Sequence, residues 1–181
     1  MILTLYHNYN VRITFYNNIQ ALKAGNLYDI IALARFMESD GHHQAASKLW
    51  FQASKLGHLE GQWKTGLASY YGSMGIAKDI ERAYQLFTRV AKWLLNLVSK
   101  LPQKSMESKE LIALNLPPLM EFQSCTDILR ECTHILGILH LDGIATEQDL
   151  STAIRWLRIA QSYGSEDAGK LLQSMFRSGM Y

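Results

Sequence analysis

Two cysteines and three prolines are all that this sequence holds of either residue. Cys125 and Cys132 stand seven apart, about 10 Å of rise if the segment is helical, which is beyond the reach of a disulfide. A chain without cross-links must be held by its core, and the missing disulfide framework favours a reducing compartment. Long apolar runs are missing as well. Ile2, Leu3 and Leu5 begin one, but His7 and Asn8 end it well short of a signal-peptide core. No other stretch approaches the roughly 18 apolar residues that a membrane span requires. The expected location is the cytoplasm, without a membrane partner. Charge of one sign is scarce too: the formal net charge is +2, too small to indicate nucleic acid by itself. It is unevenly spread, however. Residues 1–109 carry 13 Lys/Arg against 7 Asp/Glu, and residues 110–181 carry 5 against 9, which gives the molecule a weak dipole along its length.

Reactive constellations are equally thin. His42 and His43 are adjacent, so on a helix their side chains diverge by about 100° and cannot hold one ion together. Cys125, Cys132 and His134 share one helix without the facing ligands that zinc requires. Gly72-Ser73-Met74-Gly75 has no following Lys-Ser/Thr, so it is no phosphate loop, and no serine nucleophile elbow occurs. No catalytic, metal or cofactor site is expected, and the chain reads as a non-enzyme.

What is present is helical periodicity. The 48% of hydrophobic residues suffices for a continuous core in one domain, and few prolines with many alanines and leucines suit an all-α protein. The pattern is clearest from Gly137 to Gly164. Ala153, Trp156, Leu157, Ala160 and Gly164 share one helix face, and Leu129, Cys132, Leu136, His140 and Leu141 make a second stripe before the Asp142-Gly143 turn. Two antiparallel helices follow, with Gly137 and Ala153 small enough for close approach. Trp156 is expected as a buried ring between the last helical layers. Gly164 ends the second helix, and Ser165 with Glu166 and Asp167 starts another.

Weaker copies lie upstream. One runs through Gly61, Gly66, Tyr70, Gly72, Gly75, Ile76, Asp79, Ala83, Leu86, Phe87, Val90 and Ala91; a shorter one has Leu33, Ala34, Ala46, Leu49, Trp50, Ala53 and Gly57. In these positions the chain resembles the Sel-one-like repeat family, relatives of the tetratricopeptide repeat, with Cys132 and His140 in place of the usual Ala and Tyr. The resemblance implies an all-α, right-handed α-solenoid of about three helix-turn-helix repeats in a single domain spanning 1–181. The repeats fall at about 26–57, 58–93 and 128–164, with a helical insertion at about 94–127 and a C-terminal capping helix at 165–178. At the N-terminus Leu3, Leu5, Val11, Ile13 and Phe15 alternate around Asn8-Tyr9-Asn10, which allows a hairpin; the preferred reading is a capping helix from about Val11 to Ala24. The helix that starts at Asp79 overruns its repeat through Trp93, Leu94, Leu97 and Val98, and Pro117-Pro118 opens an elongated helix that ends near Leu141.

In such stacks the first helix of each repeat lines a concave groove, and the resemblance places its outward positions by register from Ala34, Gly66, Gly137 and Gln173. They are Tyr28, Ile31 and Arg35; Glu60, Trp63, Leu67 and Tyr70; Glu131, His134 and Ile138; and Asp167, Lys170 and Ser174. Trp63, Leu67 and Tyr70 form an apolar strip that a partner helix or loop could cover. Truncation of Trp63 is accordingly expected to cost little folding stability. The implied function is a non-enzymatic adaptor, a monomer or weak dimer, that binds another protein through the groove. Relatives serve as scaffolds in signalling and secretion, and some as immunity proteins that occlude a toxin. The alternative is a helical-repeat RNA-binding protein, against which Arg35 and Lys170 are outnumbered by Glu60, Glu131 and Asp167.

Overall fold

The computed structural model describes residues 26–99 and 122–179, all of whose regular structure is helical. Seven helices occur among them: α1 (Leu27–Ser39), α2 (His43–Lys55), α3 (Leu59–Tyr71), α4 (Ile80–Ser99), α5 (Phe122–Asp142), α6 (Leu150–Ser162) and α7 (Glu166–Arg177). Each packs against the next in the chain, and α3 also reaches α5, so the inner helices of successive layers meet as a solenoid requires. The expected N-terminal helix at 11–24 and the segment that joins α4 to α5 lie outside the described residues. No described helix is long and apolar enough to cross a membrane.

The starts are fixed by side-chain caps. Asn26 Oδ1 accepts from the amide of Tyr28, Asp149 Oδ1 from that of Thr152, and Ser165 Oγ from that of Ala168. His58 does the same with Nδ1 for Gly61, an uncommon residue for an N-cap. At the other end of α3, Gly72 adopts φ +66° and closes the helix in the left-handed conformation.

Pairing within a layer rests on one small residue facing one large one. A Cβ on Gly66 would lie 2.7 Å from Phe87 Cε1, and a Cβ on Gly137 would lie 2.6 Å from Leu157 Cγ. Trp50 holds the corresponding place in the first layer, and Trp50, Phe87 and Leu157 are all fully buried. Trp156 is therefore not the deeply buried ring expected from the sequence: it is half-exposed and packs on the margin of the central core. Neighbours on a helix point about 100° apart, and it is Leu157 that fills the notch at Gly137.

Nor is the apolar core continuous. It divides into a cluster of α1 and α2, a central one of α3, α4 and α5, and a third of α6 and α7. From the N-cap along α3, His58, Gln62, Thr65 and Ser69 recur at helical spacing, are all buried, and belong to no cluster. The same register in α5 reads Leu129, Thr133, Leu136 and His140, and two of these, Leu129 and Leu136, are central core. The first layer is thus joined to the second across a largely polar seam. The extensions of α4 and α5 cover each other, with Leu94 buried beside Cys125, Ile128 and Leu129 in the central cluster.

Candidate protein-binding groove

The inner helices α1, α3 and α5 are tied to one another by polar contacts between side chains that the register assigns to the groove. Arg35 of α1 donates to both carboxylate oxygens of Glu60 on α3, through Nη2 at 2.5 Å and Nε at 3.4 Å, a forked geometry that only arginine provides. Trp63 of α3 donates its indole N–H to Glu131 Oε2 of α5 at 2.9 Å. Glu60 and Glu131 occupy equivalent positions of their helices, so the second and third repeats each offer an acidic acceptor to the inner helix before them.

A third tie was not evident from register. Lys64 donates to Glu38 Oε1 at 2.6 Å, Glu38 Oε2 accepts from Trp50 Nε1 at 3.2 Å, and the Lys64 ammonium lies 4.9 Å over the Trp63 ring. Glu38 follows Arg35 by one turn and Lys64 follows Trp63 directly, so both adjoin assigned positions and were within reach of the pattern.

Two openings lie beside these ties, one at Trp63 and the other at Lys64. One is a recess of about 600 Å³ bounded by Trp63, by Asp127, Arg130, Glu131 and His134 of α5, and by Gly164 to Asp167 at the entry to α7. The other is a narrower crevice of about 210 Å³, lined by Trp50, Leu67, Ala68, Tyr71, Met74 and Ile76 together with the polar Glu38, Ser47, Lys64, Thr65 and Ser73. Burial lowers the pKa of His134, against the opposing pull of Asp167 and Glu131, so at neutral pH the recess gains no cation from it.

The remaining assigned residues fare differently. Ile31 is not a groove residue: it is 1% exposed and belongs to the core of α1 and α2, because the apolar face of α1 is wide enough to bury Ile30, Ile31, Leu33, Ala34 and Met37 together. Tyr28 is exposed, and Ile138 is half-exposed. Leu67 is half-buried on the crevice wall. Tyr70 lies against the central core, edge-on to Phe87 at 6.3 Å and to Tyr71 at 5.0 Å. The buried position three residues after Gly66 is taken by Ser69, so Tyr70 falls one step round the helix. Asp167 and Lys170 pair on their own helix at 3.1 Å, and Ser174 is exposed. The structure therefore assembles Arg35 with Glu60, and Trp63 with Glu131 and His134. Among the described residues no three His, Cys, Asp or Glu side chains are grouped so as to hold a metal ion.

Residues 59–92 and 131–160, which cover α3 with most of α4 and the second half of α5 with most of α6, match the Sel1 repeat model. No curated protein matches the sequence. Among solved structures the chain is similar to a Sel1 repeat protein from Oxalobacter formigenes, with 19% identity, a TM-score of 0.55, and coverage of 88% of this chain and 97% of that one. It is also similar, at 19% identity and a TM-score of 0.43, to a protective antigen of uropathogenic Escherichia coli strains that displays an SLR fold; there the match covers 90% of this chain and 36% of the other. The matched segments coincide with the two helix pairs in which a glycine of the first helix receives a large side chain of the second, and the chain belongs to the Sel1-like repeat family.

Proposed function

We propose that this protein is a non-catalytic adaptor that binds a segment of another protein in the groove of its inner helices. Sel1 repeats in general mediate protein–protein interaction. The observation that supports the reading here is Trp63, a partly buried indole anchored by Glu131 at the edge of the recess. Tryptophans held rigid beside a concave surface are the residues on which interface energy concentrates. Occlusion of a toxin, as by an immunity protein, and docking of a secreted partner both need no more than such a face. We place this activity in the cytoplasm.

The RNA-binding alternative has less support. Arg35 already forks onto Glu60, and four carboxylates face one arginine in the recess, a field that repels phosphate.

Selection from a displayed peptide library tests the reading. Binders are expected to lose at least about 2 kcal/mol, roughly thirtyfold in affinity, on a folded Trp63→Ala/Leu67→Ala variant. Binders indifferent to that variant, or tight salt-sensitive binding of single-stranded RNA by the unaltered chain, would overturn it.

A further inference from the structure

The two faces of the solenoid carry opposite charge. The second helices of the repeats, α2, α4 and α6, hold seven lysines and arginines against one carboxylate, Glu81, whereas α1, α3, α5 and α7 hold eight carboxylates against five cations. The excesses largely cancel, so the formal net charge of +2 conceals them. Pairing sharpens the division. Four inner cations are neutralised, Arg35 by Glu60, Lys64 by Glu38, Arg130 by Asp127 and Lys170 by Asp167. On the outer helices Lys48, Lys55, Arg89, Lys92 and Arg155 are exposed and make no ion pair among the described residues. Lys48 and Lys55 stand two turns apart on α2, and Arg89 and Lys92 one turn apart on α4, so each pair shares the solvent side of its helix.

Where α2 meets α4, two like charges share one ring. Lys55 Nζ and Arg82 Cζ each lie 4.5 Å from the centre of Phe51. The ring attracts each cation, but the cations repel one another, and a polyanion laid over them relieves that repulsion. We infer that this outer face, built by α2 and α4 and continued by α6, docks the protein peripherally on an anionic phospholipid bilayer, with the groove left turned toward solvent. The expectation of no membrane partner came from apolar runs, which do not report a charged face.

Shape and chemistry select this anion over others. The outer side of such a stack is convex, so it offers no trough for a nucleic-acid backbone to follow. Its cations are spread over three helices rather than gathered round one recess, which suits no fixed pattern of carboxylates. A fluid bilayer needs neither, because its headgroups diffuse to meet the array presented, and each lysine or arginine near it strengthens binding about fivefold. Trp93, 37% exposed and next to Lys92, is the kind of side chain that settles at headgroup level.

The test is sedimentation of the full-length protein with extruded vesicles of phosphatidylcholine, alone or with about one-third phosphatidylserine. Arg89→Gln/Lys92→Gln removes two outer cations, and Lys170→Gln/Arg177→Gln removes two from α7, so the two variants have equal net charge; melting temperatures are checked first. Binding to the anionic vesicles is expected to exceed that to phosphatidylcholine by at least about tenfold and to weaken as salt rises. The outer variant should lose at least about tenfold, and the α7 variant less than about twofold. Equal binding to the two vesicles, or equal loss in the two variants, overturns the inference. So does tighter binding of polyglutamate or duplex DNA than of the anionic vesicles, since the face would then recognise a fixed polyanion. Neither variant touches Trp63 or Leu67, so vesicle binding and peptide selection succeed or fail independently.

Discussion

The Cβ that Gly137 lacks would stand 2.6 Å from Cγ of Leu157, closer than any side chain tolerates. Gly66 and Phe87 repeat the relationship at 2.7 Å, so the two matched repeats close their helix pairs by the same device. Gly137→Ala gains up to about 1 kcal/mol of helix propensity but forces an overpacking that costs about 1–3 kcal/mol. Net destabilisation is expected from each alanine variant, read as a lower midpoint in urea with an unchanged slope. Midpoints at or above that of the parent would show that the helices do not approach this closely.

The partner of that glycine gives a larger effect. Leu157→Ala opens a cavity at a fully buried site and should cost about 2–5 kcal/mol, a large share of the roughly 5–15 kcal/mol that holds an ordinary domain folded. Trp156→Ala, at a half-exposed ring on the margin of the central core, should cost less. Thermal melts of the two variants decide the order, and the reverse order would put Trp156 in the notch.

Much of this was legible because it is local. Ser165 announces a helix start by its own chemistry, and the spacing of small and large residues announces the pairing. The choice between Trp156 and Leu157 was not legible, since adjacent residues differ only in helix rotation, and the decisive contact comes from Gly137 on another helix. Ile31 failed for a related reason. Register says which way a side chain points, whereas burial depends on how much of the helix its neighbours cover, and α1 is covered over a wide arc. The bond from Trp63 to Glu131 spans 68 residues and exists only because α3 and α5 meet across the insertion.

Acid should loosen the molecule before its carboxylates titrate. His140 is 9% exposed, its Nε2 lies 3.4 Å from the Tyr84 hydroxyl, and its Nδ1 is buried without a hydrogen-bond partner among the described residues. Burial lowers its pKa, against the pull of Asp149, and burial lowers that of His134 as well. A histidine depressed in the folded state favours folding while both states are neutral. That contribution is complete above the unfolded value of about 6.5 and is lost as pH falls through the folded pKa. Melting temperature is expected to drop between pH 7 and pH 5, and His140→Gln should flatten part of the drop. A parent melt insensitive to pH across that window would mean that neither ring is shielded from water.

The last expectation concerns Trp63, whose double role departs from its register assignment. A purely groove-facing ring could be truncated at little cost to folding, but Trp63 also packs on the central core and donates to Glu131. Trp63→Phe keeps most of the ring and removes the donor, so it should cost about 1 kcal/mol, within the usual net worth of a hydrogen bond. Trp63→Ala should cost more, because the ring's packing on the core is lost as well. A cycle that combines Trp63→Phe with Glu131→Ala isolates the bond: coupling of at least about 0.5 kcal/mol is expected for residues in contact. Additive losses would mean that α3 and α5 are not joined by this pair, and the indole would then have no anchor holding it at the mouth of the recess.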